Sequence, residues 1–229
     1  MWPKPFGKLP PDMRFEEIRA DYDRLSRERR TFFLKRGFDI VLPSILLIIL
    51  SPVLLAAGLA VKLSSPGPVF FRQERVGRMN RPFPIFKFRS MVKNADKIGA
   101  EITVGHDDPR ITKVGHILRI TRADEFPQLL NIIRGDMSLV GPRPEVRRYV
   151  DHYTPEMMAT LLIRPGITGT ASIAFRNEND MLSGQDDPEE YYIYSILPEK
   201  MRINLEYVRH ISFRGDIRIL LDTLKCAVK

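Results

Sequence analysis

Two adjacent carboxylates, Asp124 and Glu125, form the part of the sequence best suited to chemistry. Pro127 follows them closely, and proline is tolerated only in the first turn of a helix. The pair is therefore predicted at the N-terminus of a helix from about residue 124 to 134, which Gly135 would end with a left-handed cap. The positive end of the helix dipole stabilises ionised carboxylates and attracts phosphate. A carboxylate that acts as a nucleophile or as a Mg²⁺ ligand must offer an ionised oxygen. The alternative interpretation is an acidic first turn without a chemical role.

The second feature is a set of basic side chains in a predicted strand and in rigid, proline-containing loops. Lys87 and Arg89 alternate with two phenylalanines in a predicted short strand, so both cations fall on one strand face and suit a phosphate. Arg143 stands between two prolines, which lowers the ordering cost of a bidentate phosphate contact. Arg164 begins a second rigid loop, of sequence Arg-Pro-Gly. Taken singly, a solvated edge strand and ordinary loops remain the alternatives.

Other kinds of reaction centre are not supported by the sequence. The histidines His106, His116, His152 and His210 are scattered, without cysteine or glutamate at the spacing of a zinc site. Neither a P-loop nor a Gly-x-Ser-x-Gly motif is present. Cys226 is the single cysteine, so an intrachain disulfide is impossible and a reducing compartment is favoured.

Composition and charge narrow the class of protein. The chain has 229 residues, of which 44% are hydrophobic and 28% charged, so it can form one compact domain and is not disordered. The net charge is +8, but residues 62–93 carry eight basic and one acidic side chain, whereas residues 94–229 carry 18 basic and 20 acidic ones. A nucleic-acid-binding protein more often spreads its positive charge over the folded domain. A basic block beside a hydrophobic segment instead favours contact with anionic lipid or phosphate.

An uncharged run from residue 40 to 61 precedes this block. As a straight helix its 22 residues would extend roughly 33 Å, and a bilayer core is about 30 Å thick. Pro52 near the middle removes a backbone donor, and the Ser51 hydroxyl can satisfy the freed carbonyl. Lys35 and Arg36 precede the run and further cations follow it, so both flanks have cytoplasmic character. We therefore favour a re-entrant hairpin that turns at Ser51 and Pro52; a kinked transmembrane span and a buried pair of core helices are the alternatives.

Three segments are predicted along the chain. They are an N-terminal amphipathic helix within residues 1–34, the hairpin at 35–62, and a cytoplasmic domain with the catalytic residues at 63–229. The amphipathic helix, clearest over residues 12–36, would lie on the bilayer surface or cover the core. Short strands are expected at 69–71 and 84–89 around a loop at 77–82, and further helices at 92–103, 111–121, 186–210 with a break at Pro198, and 216–226. The fold class is α+β and mainly helical: a membrane-associated single domain with a re-entrant hydrophobic helix hairpin and a small β-sheet.

Seven stretches occur in an order that carries a family likeness. They are residues 35–39, the hydrophobic run with Ser51 and Pro52, and residues 87–91, 108–112, 124–129, 135–144 and 164–169. Together they resemble the bacterial sugar transferases, which are small monotopic phosphoglycosyl transferases. The likeness covers roughly residues 34–225, and the order of the motifs makes it specific although each motif alone is weak.

The resemblance implies an activity. Such enzymes move a sugar-1-phosphate from a UDP-sugar to polyprenyl phosphate, usually undecaprenyl phosphate, and release UMP, as the first membrane step of glycoconjugate or exopolysaccharide assembly. The family's nucleophile, which carries a covalent phospho-sugar, corresponds to Asp124, and Glu125 completes the dyad. Mg²⁺ is the implied cofactor, with Asp124 and Glu125 as candidate ligands. The family's hydrophobic helix is re-entrant and broken at a pair that corresponds to Ser51 and Pro52. Substrate and phosphate binding is expected of Lys87, Arg89, Arg110, Arg143, Pro144 and Arg164.

The resemblance also implies a location and partners. The expected location is the bacterial inner (cytoplasmic) membrane, with the catalytic domain on the cytoplasmic face. The expected partners are a UDP-sugar, polyprenyl phosphate and membrane lipid; nucleic acid is not expected, and a homo-oligomer stays open. The alternative function is a non-catalytic membrane-bound scaffold or lipid-binding module, which would need no acidic dyad.

Overall fold

The computed structural model describes residues 5–92, Ala95 and residues 108–228. This part of the chain is mainly helical with small sheets, as the sequence indicates. The α-helices are α1 (Arg19–Arg27), α2 (Arg29–Ser64), α3 (Lys113–Ile120), α4 (Gln128–Arg134), α5 (Arg147–Val150), α6 (Thr170–Ala174), α7 (Glu178–Ser183), α8 (Pro188–Tyr191), α9 (Leu197–Arg209) and α10 (Phe213–Val228). The strands are β1 (Phe70–Val76), β2 (Pro82–Phe88), β3 (Ser138–Val140) and β4 (Gly166–Thr168). The helix expected at residues 92–103 falls largely outside the described residues.

Strands β1 and β2 form an antiparallel hairpin. Phe70 pairs with Phe88 at one end and Val76 with Pro82 at the other. The sequence placed the loop correctly but ended the first strand at residue 71, five residues too early. The four residues from Arg72 to Arg75 are all polar or charged. They therefore lack the alternation of apolar and polar residues that indicates a strand in a sequence.

Strands β3 and β4 pair in parallel and hold two loops together. Ser138 lies opposite Gly166, and the Gly141 amide donates to the Thr168 carbonyl at 2.9 Å. The backbones approach so closely that a Cβ on Gly166 would lie 2.1 Å from the nitrogen of Gly141. Glycine is therefore required there. The pairing brings the loop of Arg143 beside the loop that begins at Arg164.

The N-terminal segment covers the core of the domain. Residues predicted as one helix from 12 to 36 instead form short 3₁₀ turns, α1 and the first two turns of α2. Met13, Ile18 and Leu25 are fully buried and pack in the main hydrophobic core. Ile18 lies five positions after Met13, so a continuous helix would direct the two side chains to different faces, about 140° apart. Burying both side chains requires the chain to leave the helical path between them.

Helix α2 is one helix from Arg29 to Ser64, and it contains Pro43 and Pro52. The expected division into two half-helices at Ser51 and Pro52 is therefore not seen as an interruption of the helix, and the re-entrant path is not confirmed. The Ser51 hydroxyl does donate to the Ile48 carbonyl at 2.8 Å. In a regular helix residue 52 would bond to that carbonyl, so the predicted compensation for the missing donor of Pro52 is confirmed.

Both ends of α2 pack on the same domain. At its N-terminal end, Lys35 forms an ion pair with Asp216 and donates to the Tyr207 hydroxyl at 3.3 Å; we call these three residues the anchor cluster. At its C-terminal end, Val61 is buried with Phe88 and Leu118. Between these ends the helix is long and apolar enough to cross a membrane, and little of it is buried.

The C-terminal half is helical as expected, with one difference. The predicted break at Pro198 is absent: the helical turns continue through Pro198, which is the second residue of α9. A π-helical stretch, Tyr192–Ile196, leads into α9 instead.

Candidate functional site

A separate 3₁₀ turn, Ala123–Glu125, presents the acidic pair. Arg122, in front of the turn, has a left-handed φ of 55°, which redirects the chain after α3. The prediction placed the pair in the first turn of α4, but α4 begins only at Gln128, with Pro127 as its N-cap residue. Gly135 ends α4 with a φ of 94°, which confirms the predicted left-handed cap.

Glu125 is the centre of the charged side chains that the fold assembles. Its Oε1 accepts from Lys87 Nζ at 2.8 Å and from Arg143 Nη2 at 2.6 Å. Lys87 comes from β2 and Arg143 from the loop after β3, so three distant parts of the sequence meet here. We call Lys87, Asp124, Glu125 and Arg143 the site cluster.

The two carboxyl groups of the site cluster have opposite electrostatic environments. Burial alone would raise the pKa of Glu125, but Arg143 and Lys87 outweigh it and hold that pKa well below its usual range. Burial raises the pKa of Asp124; Lys87 opposes this effect, and the neighbouring charge of Glu125 adds to it. The expected stabilisation of both groups as ions is therefore opposed at Asp124, where burial disfavours the charged form. The physical reason is that Asp124 is only 9% exposed and accepts no hydrogen bond from the described residues.

Arg75 belongs to the site although the sequence analysis did not select it for chemistry. Its Nη1 donates to the Pro144 carbonyl at 3.2 Å, and its Nη2 donates to the Gln73 side chain at 2.7 Å. Arg143 lies close enough to lower the pKa of Arg75, in addition to the larger effect of burial. Gln73 and Arg75 are two residues apart in β1 and share a face. Their two-residue spacing would indicate a shared strand face, but the predicted strand ends at residue 71 and does not include them.

A buried network supports the loop that carries Arg143. Glu145 Oε1 accepts from the Tyr192 hydroxyl at 2.7 Å and from Lys200 at 3.2 Å. Lys200 also donates to Glu178 at 2.9 Å. We call Glu145, Tyr192, Lys200 and Glu178 the support network. Since the Glu145 carbonyl also accepts from the Val76 amide, the loop is held from β1 on one side and from α9 on the other.

Three other predicted phosphate-binding residues bond elsewhere. Arg89 directs its Nη2 to the Ser65 carbonyl at 2.7 Å, at the end of α2. Arg110 is paired with Asp108 at 2.6 Å. Arg164 donates to the Gly135 carbonyl at 2.7 Å. Of the predicted cations, the structure therefore brings only Lys87 and Arg143 into contact with Glu125 among the described residues.

The donor set fits a Mg²⁺ ion that arrives with a substrate better than a resident one. Within the described part of the chain, no group of three or more His, Cys, Asp or Glu side chains could hold a metal ion. Mg²⁺, however, commonly binds through one or two carboxylates and completes its coordination with water and substrate phosphates. The Asp124 oxygens are uncommitted, and Glu125 Oε2 has only a long contact of 3.5 Å with Arg143.

Comparison with known proteins places the chain in a family. The family model described as bacterial sugar transferase matches residues 30–229. The UDP-glucose:undecaprenyl-phosphate glucose-1-phosphate transferase of Escherichia coli (strain K12) is 42% identical over 83% of this chain and 39% of its own length. The UDP-N-acetylgalactosamine-undecaprenyl-phosphate N-acetylgalactosaminephosphotransferase of Aeromonas hydrophila is 38% identical over 84% of this chain and 43% of its own length.

A third relative is covered over more of its length. The UDP-glucose:undecaprenyl-phosphate glucose-1-phosphate transferase of Caulobacter vibrioides is 39% identical over 83% of this chain and 68% of its own length. The chain thus spans about two fifths of the first two relatives and two thirds of the third. Because the family model matches nearly the whole chain, this protein belongs to the bacterial sugar transferase family.

Proposed function

We propose that this protein transfers a sugar-1-phosphate from a UDP-sugar to polyprenyl phosphate, with release of UMP. The observation that carries the proposal is the site cluster, in which an uncommitted carboxylate lies beside a carboxylate held by two cations. The relatives support the substrate class, because their names specify undecaprenyl phosphate and a sugar phosphate. Such a reaction would begin the membrane stage of glycoconjugate or exopolysaccharide assembly.

The proposed route is covalent. An Asp124 oxygen attacks the β-phosphorus of the UDP-sugar, the bond from that phosphorus to the bridging oxygen breaks, and UMP leaves with the bonding electrons. An oxygen of the polyprenyl phosphate then attacks the same phosphorus, and the Asp124 carboxylate is released. Two steps allow the two anionic substrates to react without being bound at once. Asp124 suits attack better than Glu125, since Lys87 and Arg143 already hold Glu125.

Cations of the site would neutralise the phosphates. Lys87 and Arg143 line the cluster, and Arg75 adds a third positive charge beside them. Arg143 can offer its guanidinium to a phosphate while it remains near Glu125, since it is the most exposed of the three side chains that meet there. Asp124, assisted by Glu125 Oε2, would hold Mg²⁺, which when bound neutralises the diphosphate and favours departure of UMP.

We further propose that α2 enters the cytoplasmic face of the inner membrane and returns to it. Both ends of the helix pack on one domain, whereas the middle is exposed: Ile48 is 74% and Leu55 75% exposed. A helix that crossed the bilayer would separate its ends by about 30 Å of hydrocarbon. Tags at Lys8 and at the C-terminus should therefore both react from the cytoplasmic side. A Pro52→Ala variant should straighten the helix and alter that pattern, and an N-terminal tag outside the cytoplasm would exclude the hairpin.

Release of UMP tests the reaction. Purified protein with Mg²⁺ and polyprenyl phosphate should release UMP from at least one member of a panel of UDP-sugars, and the panel also identifies the sugar. Without lipid acceptor, the protein should release up to one UMP per site, and its intact mass should increase by that of a sugar phosphate. The control is Asp124→Asn, which should do neither. Turnover without any adduct would exclude the covalent route, and absence of UMP release with every sugar would exclude the transferase.

A further inference from the structure

The first part of α2 has two faces of different character. One face packs on the domain and contains Lys35, Phe38, Asp39, Leu42 and Leu46. The opposite face is exposed and contains Arg29, Arg30, Phe33, Leu34, Val41 and Ile45. Spacings of three and four residues keep each set on its own side of the helix.

The exposed apolar surface begins earlier than the uncharged run in the sequence. Phe33 is 79% and Leu34 52% exposed, as open to the surroundings as the middle of α2. Both precede residue 40, and they extend the apolar face by roughly 10 Å toward the N-terminus. Exposed phenylalanine and leucine side chains on the apolar face of a helix, beside basic residues, are typical of helices at the surface of a bilayer.

Arg29 and Arg30 lie one helical turn before this apolar pair. Both are exposed, and neither forms an ion pair with a described residue. With Phe33 and Leu34 they form one continuous exposed patch at the start of α2. The next two cations of the chain are not available in this way, because Lys35 is buried against Asp216 and Arg36 donates to the Ile132 and Ile133 carbonyls at 2.7 Å.

We propose that Arg29, Arg30, Phe33 and Leu34 bind an anionic phospholipid of the bilayer surface. The guanidinium groups would hold the headgroup phosphate, and the two apolar side chains would lie against the upper part of an acyl chain. The proposal rests on the proposed membrane association of α2. A second copy of the chain is disfavoured as occupant, since a symmetric contact at this face would bring the four arginines of two copies together.

Spin-labelled lipids test this surface in the full-length protein. In phosphatidylcholine bilayers that contain the protein, labelled phosphatidylglycerol should be motionally restricted at least twofold more than labelled phosphatidylcholine. The Arg29→Gln/Arg30→Gln variant should lose this preference. The matched control is Arg176→Gln/Arg202→Gln, which removes two exposed arginines elsewhere and should keep it. Equal restriction of both lipids in the wild type, or an unchanged preference in the Arg29→Gln/Arg30→Gln variant, would overturn the proposal.

A second measurement tests whether Phe33 lies within the bilayer. A Phe33→Trp variant in a Trp2→Phe background should be quenched by lipids brominated high on the acyl chain and protected from iodide in water. Quenching by iodide without quenching by the lipids would overturn the proposal. UMP release measured on the same samples distinguishes the proposed transferase reaction from the proposed lipid-binding surface. Absence of UMP release beside a clear phosphatidylglycerol preference would contradict the proposed function alone, and normal release without that preference would contradict the lipid surface alone.

Discussion

The anchor cluster and the site cluster both bring oppositely charged side chains together inside the protein, but they differ in how completely their polar atoms are paired. In the anchor cluster, Lys35 contacts Asp216, Tyr207 and the Val140 carbonyl at 2.7 Å, while the Tyr207 hydroxyl donates to Asp216 at 2.7 Å. In the site cluster, Glu125 is similarly satisfied, but its neighbour Asp124 accepts no hydrogen bond from the described residues.

The difference separates a structural cluster from a chemical one. Burying a charge costs several kcal/mol unless it is paired, and the anchor cluster meets that condition by satisfying its members with one another. The site cluster leaves the Asp124 carboxylate without a hydrogen bond from the described residues, so its oxygens are available to a substrate or a metal ion. Incomplete pairing of this kind is typical of functional sites.

Removing the Asp124 carboxylate should have the largest effect on turnover. Asp124→Asn keeps the size of the side chain but removes the attacking oxygen, so UMP release should fall by roughly 10³-fold or more. Because burial disfavours the charge of Asp124, the melting temperature in Mg²⁺-free buffer should stay the same or rise. A lower melting temperature would mean that Asp124 is a structural residue, and the comparison with the anchor cluster would fail.

The same kind of change in the anchor cluster should give the opposite result. Lys35→Met leaves Asp216 buried without its cation, which should lower the free energy of unfolding by about 3–5 kcal/mol. Molecules that remain folded should release UMP at nearly the normal rate. The double variant Lys35→Met/Asp216→Leu is the control, and it should recover much of the lost stability in a thermal melt in detergent. Lost turnover in well-folded Lys35→Met would place the anchor cluster in the chemistry.

Arg143 should be required for turnover and not for folding. Arg143→Ala removes a charge-assisted hydrogen bond, which should cost about 1.5–3 kcal/mol of transition-state stabilisation. The value of kcat/KM should therefore fall roughly tenfold to 150-fold. Arg143→Lys should restore only part of the rate, because the planar fork of the guanidinium is lost. Unchanged kcat/KM in folded Arg143→Ala would show that this arginine only stabilises its loop.

Glu145 in the support network should show a smaller and mixed effect. Glu145→Gln keeps the shape of a side chain that is 6% exposed but weakens its bonds to Lys200 and Tyr192. We expect a loss of about 1–2 kcal/mol in stability and a reduction of roughly tenfold in kcat, because the loop of Arg143 is less firmly held. A fall in stability without any change in kcat would restrict this network to folding.

The pH dependence of that stability difference has a definite sign. Burial alone would raise the pKa of Glu145, but Lys200 and Arg75 outweigh it and keep the pKa below its ordinary value of 4.5. The ionised carboxylate therefore stabilises the fold above about pH 4.5, and this contribution is lost as the pH falls through the lowered pKa. Melts of wild type and Glu145→Gln should differ at pH 7 and converge in acid. A difference that grows in acid would contradict the assignment.

Sequence alone determined the parts of this protein that depend on local order along the chain. The acidic pair before Pro127, the left-handed cap at Gly135, the apolar length of α2 and the Ser51 compensation for Pro52 all follow from neighbouring residues. Backbone geometry and side-chain reach act over a few residues there, so a pattern in the sequence is sufficient to predict them.

Only the tertiary structure decided which charges meet. Lys87 and Arg89 are two residues apart, yet one contacts Glu125 and the other the end of α2. Arg75 reaches the site as part of β1, which extends to Val76 and not only to residue 71 as the sequence predicts. The raised pKa of Asp124 depends on burial by residues remote in the sequence, which no local pattern records. Charge interactions depend on distance and burial in space, and packing of the whole chain sets both.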